Sequence, residues 1–422
     1  MRRARQLSDL RGFSRLAVEA TIGVTDLVEE VHRSIATVDC LPRTGAPSPP
    51  PRKRMRGITG FVYRTIRRIT GWVGHGLDHG LAQLQPMLLA DPTNLPAGVS
   101  PHRDAVLAAL NGVLGDHLEA SGNSLAIPMS FRRDGETIDP AEEKGGRLLL
   151  LIHGLCRSDL QWRRDEHDHG ARLASDLGLT PIYLHYNSGR AIATNGRELA
   201  FRLEALLLAW PEPVTELVVV AHSMGGLVAR SACDTAEREH LVWRSKLRKI
   251  VFLATPHHGA PLERGGNWLT LALDRSAYTA AFARLGRIRS AGITDLRFGQ
   301  VTPLKDSDRF APGSGHREVV PLPKGVACYA AAATIGKGPQ AAATAQGTPG
   351  AGALATAKAV LGDGLVPLAS ALGDDTDPER ALLIPAGRRR IFYGTNHLAL
   401  LDRGAVYDQI RVWLDEPAEA TL

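Results

Sequence analysis

The spacing of hydrophobic positions changes along this chain, and the changes divide it. Between residues 10 and 36, Phe13, Leu16, Ile22, Leu27, Val31 and Ile35 recur at helical intervals. Leu41 to Arg56 breaks that pattern with Pro-Ser-Pro-Pro-Pro at 47–51 and then Arg52-Lys53-Arg54-Met55-Arg56, which predicts an exposed linker with a basic end. From Ile58 to Leu89 an apolar stripe returns through Phe61, Ile66, Ile69, Val73, Leu77, Leu81 and Leu84, with Arg64, Arg67 and Arg68 largely off it. Ser100-Pro101 opens a further helix, Ser as N-cap and Pro at the first position, with Val106, Leu110, Val113 and Leu114 as its apolar face. Residues 1–122 therefore read as a helical N-terminal extension with a Pro-rich linker near 41–56.

From Ser124 the period shortens. Ser124 to Arg132 and Glu136 to Ile138 flank Asp134-Gly135, a hairpin signal. Arg147 to Ile152 is a continuous apolar run, the pattern of a strand buried on both faces of a parallel sheet. Pro181–His185, Leu217–Ala221, Lys249–Ala254 and Val326–Thr334 continue the strand series. Arg197–Trp210 reads as a crossover helix, and about Arg403–Leu414 as a closing one. Strands alternating with helices predict an α/β domain over 123–422, its mostly parallel sheet covered by helices on both faces. Residues 260–324 are too long for a simple connection and carry helical runs at Trp268–Leu273 and Ala277–Ile288, which predicts a helical cap or lid insertion. Ala341 to Lys358 is rich in Ala, Gly and Thr and reads as a loop.

Composition narrows the function classes. The chain has 422 residues, 44% hydrophobic and 22% charged, with a formal charge of +6. Arg outnumbers Lys, but no dense basic face interleaved with aromatics is present, so nucleic acid is not an expected partner. Cys40, Cys156, Cys233 and Cys328 are widely spaced without a CxxC pair, which fits a reducing compartment better than a disulfide framework or a zinc site. The basic start Met1-Arg2-Arg3-Ala4-Arg5 is not followed by an apolar h-region, and no stretch is long enough to span a bilayer. The expectation is a cytoplasmic protein. The basic cluster at 52–56 beside the stripe at 58–89 gives a peripheral membrane contact as the alternative to packing.

The residues that can do chemistry centre on Glu216 to Val228. An apolar run of β-branched residues ends in Ala221-His222-Ser223-Met224-Gly225-Gly226 and passes at once into a helix-forming segment. A strand that turns directly into a helix crowds its backbone, small residues relieve the crowding, and the residue at the tip is pushed out with its side chain exposed. This is a nucleophile elbow with Ala221 at the first small position, and Ser223 is the candidate nucleophile. A serine hydroxyl needs a base to take its proton and a carboxylate to orient that base. His397, in Gly394-Thr-Asn-His-Leu, follows the strand-like run Ile391-Phe392-Tyr393 and is the candidate base. Asp363, between Gly362 and Gly364, is the candidate acid; Asp374, Asp375 and Asp377 are rivals. An oxyanion also needs donors. Met224 N–H follows the nucleophile, and Leu155 N–H lies in the turn His153-Gly154-Leu155 after the Arg147–Ile152 strand. His153 reads as a brace for that turn. His75 with His79, and Asp165-Glu-His-Asp-His169, hold metal-ligand types but read as solvated surface. No metal or cofactor is expected.

Together, Ile-His-Gly-Leu-Cys at 152–156, Ala-His-Ser-Met-Gly-Gly at 221–226, Ala-Thr-Pro-His-His-Gly at 254–259, Gly-Asp-Gly-Leu-Val-Pro at 362–367 and Asn396-His397 resemble an α/β-hydrolase lipase or esterase. More narrowly, the set is similar to bacterial lipase-like proteins grouped with the GPI inositol-deacylases and triacylglycerol lipases; Tyr186-Asn-Ser-Gly189 and Asn195-Gly-Arg-Glu-Leu-Ala200 also match that group. The resemblance covers about 124–415 and implies an α/β-hydrolase fold cleaving carboxylic esters through an acyl-enzyme, with a small-molecule ester or lipid as substrate. Acyl transfer to another acceptor, or thioester hydrolysis, would use the same residues. A membrane-peripheral binding protein that keeps a hydrolase fold is the non-enzymatic alternative.

Overall fold

The computed structural model describes residues 8–22, 26, 64, 65, 68, 101–164, 166–260, 290–303, 319–336, 338 and 362–417. The linker at 41–56, every apolar position of the stripe at 61–84, the helical runs at 268–273 and 277–288, and the loop at 341–358 lie outside the described residues. The chain divides into two compact units, Met1–Gly98 with Leu118–Leu125, and Val99–His117 with Ala126–Leu422. In the first, the helix over 8–22 is tied to a later turn: Asn123 Nδ2 donates to Gly12 O at 3.0 Å and Ser124 Oγ to Ser8 O at 2.7 Å.

The second unit is built on an eight-stranded sheet. Its strands are β1 (Ser130–Arg133), β2 (Glu136–Thr137), β3 (Arg147–Ile152), β6 (Thr180–His185), β7 (Glu216–His222), β8 (Leu247–Leu253), β9 (Ala327–Thr334) and β10 (Arg389–Tyr393). A separate two-stranded ribbon pairs β4 (Arg163–Arg164) with β5 (His167–Asp168). The large sheet runs β10-β9-β8-β7-β3-β6-β1-β2, parallel from β10 to β6 and antiparallel through β1 and β2. Asp134 and Gly135 join β1 to β2 with φ of 51° and 80°, the two positive values that a tight hairpin turn requires. The helices of this unit are α1 (Pro101–Ala120, of which residues 101–117 belong here), α2 (His169–Leu177), α3 (Ile192–Ala209), α4 (Met224–Arg238), α5 (Ala291–Phe298), α6 (Leu368–Leu372) and α7 (Gly404–Asp415). This is an α/β-hydrolase fold.

Two details of that sheet position the site. Leu148 to Ile152 and Leu217 to Ala221 are buried almost completely, because β3 and β7 are central and covered on both faces. On one face Leu149, Leu151, Val218, Val220, Val251 and Leu253 pack with Leu173 of α2 and Tyr407, Ile410, Trp413 and Leu414 of α7. Alternation sends the intervening side chains to the opposite face. From β3 the chain crosses to β6 on one side, and from β7 it crosses to β8 on the other. The reversal opens a crevice at the carboxyl ends of β3 and β7, the place where open α/β sheets bind ligands. β9 is a run of alanines with weak intrinsic strand preference. Its Ala330 and Ala332 are buried against Val366 and Leu372, so burial decides its state.

Lys249 anchors the last helix to the sheet. Its ammonium is buried on β8 and donates to the carbonyls of Trp413 at 3.0 Å, Leu414 at 2.9 Å and Glu416. Trp413 and Leu414 are among the last carbonyls that the end of α7 leaves without helical partners, and Glu416 is its C-cap. Among the described residues no helix is long and apolar enough to cross a membrane.

Candidate active site

The corner after β7 has the strained backbone that the sequence predicts. Ser223 has φ 55° and ψ −125°, outside the regions that ordinary residues favour. Its N–H still continues the sheet, donating to Leu253 O at 2.8 Å, while its carbonyl accepts from Gly226 N at 3.0 Å as α4 begins. The strain is held because both neighbours are locked: His222 and Met224 are buried. Gly225 shows why the helix needs a bare position here. A Cβ on it would lie 2.5 Å from Ile152 O and 2.6 Å from His153 O, so α4 starts in direct contact with the turn after β3.

That turn is braced from behind. Tyr186 OH donates to His153 O at 2.8 Å, and the two rings stack with centroids 4.3 Å apart. His153 Nδ1 bonds to Gly154 O at 2.9 Å; a carbonyl only accepts, so Nδ1 carries the proton. Burial lowers the pKa of His153 to about 3, which fits a neutral brace. Cys156, with φ 58°, donates its N–H to Ser188 Oγ at 3.0 Å. A Cβ on Gly154 would fall 3.0 Å from Ser223 Cβ, so the turn and the elbow meet at this glycine. Among the described residues no hydrogen bond takes the backbone N–H of Leu155 or Met224. The Met224 N–H also lies at the positive end of the α4 dipole.

The carboxylate and the second imidazole come from loops after β9 and β10. Asp363 is buried, and its Oδ1 accepts from Leu365 N and Val366 N at 2.9 Å each. Gly362, at φ 57°, lets the loop close: a Cβ there would lie 2.0 Å from Val366 O. Asp363 Oδ2 is 2.6 Å from His397 Nδ1, and Asp363 O accepts from His397 N at 3.3 Å. The His397 loop hangs on Thr395 N bonded to Thr334 O at 2.9 Å and on Gly394 N bonded to Gly336 O at 2.8 Å. With Nδ1–H given to a carboxylate, the lone pair of His397 sits on Nε2. The rival acids are engaged elsewhere. Asp374 pairs with Arg389 at 2.6 Å, Asp375 lies 3.4 Å from His258 Nδ1, and Asp377 accepts from Glu379 N at 3.1 Å.

Two features are not legible in the motifs. His222 Nε2 bonds to His397 O at 3.1 Å, joining the residue before Ser223 to the His397 loop. Behind the Gly154 turn, His185 Nδ1 lies 2.8 Å from the buried Asp159 carboxylate, which also faces Arg132 at 3.5 Å; burial raises the Asp159 pKa, but the hydrogen bond from His185 and the charge interactions with His185 and Arg132 lower it by more, so the net shift is downward. No spacing rule marks either contact, because each joins segments far apart in the chain. The metal-ligand run near 165–169 is used otherwise. His169 Nε2 bonds to Leu400 O at 2.8 Å and its Nδ1 lies 2.7 Å from His167 Nε2; Asp165, His75 and His79 lie outside the described residues. Among the described residues no group of three or more His, Cys, Asp or Glu side chains could hold a metal ion. A cavity of about 830 Å³ runs along the outer side of α3 beside Arg197, Phe201 and Pro303; Ser223, Asp363 and His397 are not among its lining residues.

Residues 125–296 match the model of a family described as a domain of unknown function, DUF7379. No curated protein sequence matches the chain. Among solved structures the chain is similar to the mature lipase BlEst2 of Bacillus licheniformis, at 17% identity over 68% of this chain and 97% of that one, with a TM-score of 0.40. It is also similar to EstA from Clostridium botulinum, at 14% identity over 66% and 89% with a TM-score of 0.38. RedJ-thioesterase from the prodiginine biosynthetic pathway of Streptomyces coelicolor matches at 17% identity over 65% and 91%, with a TM-score of 0.36.

Proposed function

We propose that this chain is a serine hydrolase that cleaves carboxylic esters through an acyl-enzyme on Ser223. The observation that carries the reading is the 2.6 Å contact of Asp363 with His397, on a loop bonded to the residue next to a strained, strand-to-helix serine. In this reading three groups that the sequence spreads over 175 positions, in the order nucleophile, acid, base, work together at the carboxyl end of the sheet, which the His222 to His397 bond supports.

His397 Nε2 takes the Ser223 proton as Oγ attacks the ester carbonyl. Charge then develops on the carbonyl oxygen, where the N–H groups of Leu155 and Met224 receive it. Asp363, fixed by two backbone donors, holds the Nδ1–H tautomer and stabilises the imidazolium. His397 returns the proton to the departing alcohol. Water, deprotonated by His397, then attacks the acyl-enzyme, and a carboxylic acid leaves with Ser223 restored. No cofactor enters these steps. In this reading residues 260–324 cap the serine and shape an acyl site, and residues 1–122 are an N-terminal extension of which Val99–His117 belong to the same compact unit as the sheet. The narrower likeness to the GPI inositol-deacylase and triacylglycerol lipase group rests on the sequence motifs and names a lipid ester as substrate class.

Ser223→Ala removes the nucleophile and leaves a buried position of nearly equal size. It should lower p-nitrophenyl ester turnover by about 10⁴-fold or more while the thermal transition stays in place. Retained turnover in a folded Ser223→Ala protein refutes the reading. Ester substrates graded in acyl length, with and without a competing alcohol, separate hydrolysis from acyl transfer, and a thioester series tests the thioesterase alternative.

A further inference from the structure

We propose that His222 is a positioning residue that sets His397 against Ser223; the proposal rests on the serine-hydrolase reading above. His222 is joined covalently to the nucleophile, and its side chain reaches the base. Nε2 lies 3.1 Å from the carbonyl oxygen of His397, and since that oxygen can only accept, Nε2 carries the proton. The two rings pack with centroids 4.6 Å apart. The other ring nitrogen, Nδ1, is buried, has no hydrogen-bond partner and faces Gly154, where a Cβ would lie 3.3 Å from it. One side chain therefore touches all three parts of the site: the elbow, the base loop and the turn that carries Leu155.

The need for such a link is geometric. Residue 397 is otherwise attached through its own N–H to Asp363 O, a long bond at 3.3 Å, and through its ring to Asp363 Oδ2. Both attachments lead to the acid loop and neither to the nucleophile. Among the described residues, the hydrogen bond from His222 is what ties the His397 backbone to the strand bearing Ser223. A base displaced by about 1 Å from its nucleophile can lose about 100-fold in rate. His222 is also suited to a site that becomes charged. Burial and the neighbouring His397 hold its pKa well below 6.5, so a neutral ring lies beside the imidazolium that forms on His397.

The test compares side chains that differ in reach, in the full-length protein. His222→Gln places an amide N–H where Nε2 stands; His222→Asn carries the same amide one carbon short of His397 O; His222→Phe keeps the ring without a donor. With p-nitrophenyl butyrate, Asn and Phe should lower kcat by about 10- to 100-fold with KM within about twofold, and Gln should restore kcat to within about fivefold of wild type. If Phe does not fold, the Gln and Asn pair decides. The proposal is overturned if Gln is as slow as Asn, if Asn keeps wild-type kcat, or if the loss falls on KM. Ser223→Ala is run alongside. Turnover surviving there refutes the serine reading itself, whereas its loss with a normal Asn variant refutes only the role of His222.

Discussion

Replacing Asp363 by Asn tests the site with almost no change of volume, and the structure dictates how the new amide must sit. The carboxylate is held on one side by the N–H groups of Leu365 and Val366, each 2.9 Å from Oδ1. Two donors on that side require an acceptor, so the Asn oxygen must face them. Its NH₂ is then turned toward His397 Nδ1, where the carboxylate oxygen stood at 2.6 Å. Two donors cannot face each other. His397 is driven to the tautomer with its proton on Nε2, the nitrogen that must accept from Ser223. The nucleophile loses its base while every backbone bond of the acid loop survives. A wrong tautomer of this kind lowers kcat by about 10⁴-fold, or about 5.5 kcal/mol in the barrier. Asp363→Ala differs, because it strands the two backbone donors. At roughly 1–3 kcal/mol for each unsatisfied buried group, it should destabilise by a few kcal/mol, whereas Asn should leave Tm nearly unchanged. Steady-state ester kinetics and thermal denaturation on the three proteins distinguish these effects. A folded Asp363→Asn enzyme with kcat within about tenfold of wild type refutes the argument.

Two further outcomes follow from buried groups. Burial lowers the pKa of His153 to about 3 and of His169 to about 4, and holds His222 and His257 well below 6.5. Unfolded imidazoles bind protons near pH 6.5 while these folded ones do not, so their contribution is full above pH 6.5 and is lost as pH falls toward the folded values. Tm should fall progressively from pH 7 to pH 5 at constant ionic strength, and a flat profile over that range contradicts the assignment of neutral buried rings. Lys249→Met should lower Tm by several degrees, because the carbonyls of Trp413, Leu414 and Glu416 lose their donor. kcat per folded molecule should be unchanged, and a loss of activity without a loss of stability would show that the anchor reaches the site.

The sheet was readable because its signals are local. The apolar run from Arg147 to Ile152 coincides with β3, and the Asp134-Gly135 turn lies where the hairpin closes. Helix ends were less legible: α3 begins at Ile192, before the expected Arg197, because Asp295 of a distant helix accepts from Ile192 N at 2.9 Å and fixes that start. The same division runs through the site. Ser223 stands out because a strand, a turn and a helix meet within a few residues, and chain order then leaves few choices for Asp363 and His397. His222 is not marked by the motif, since the adjacent serine accounts for it and nothing in the spacing tells that a ring on β7 reaches a loop 175 residues later. Only the fold brings the end of β7 to the loop after β10, where the contact is made by one N–H and by packing of the two rings. In the proposed reading, local chemistry marks the groups that react, while the bonds that set distances between them arise from topology, so variants in those bonds should lower kcat even with Ser223, Asp363 and His397 all in place.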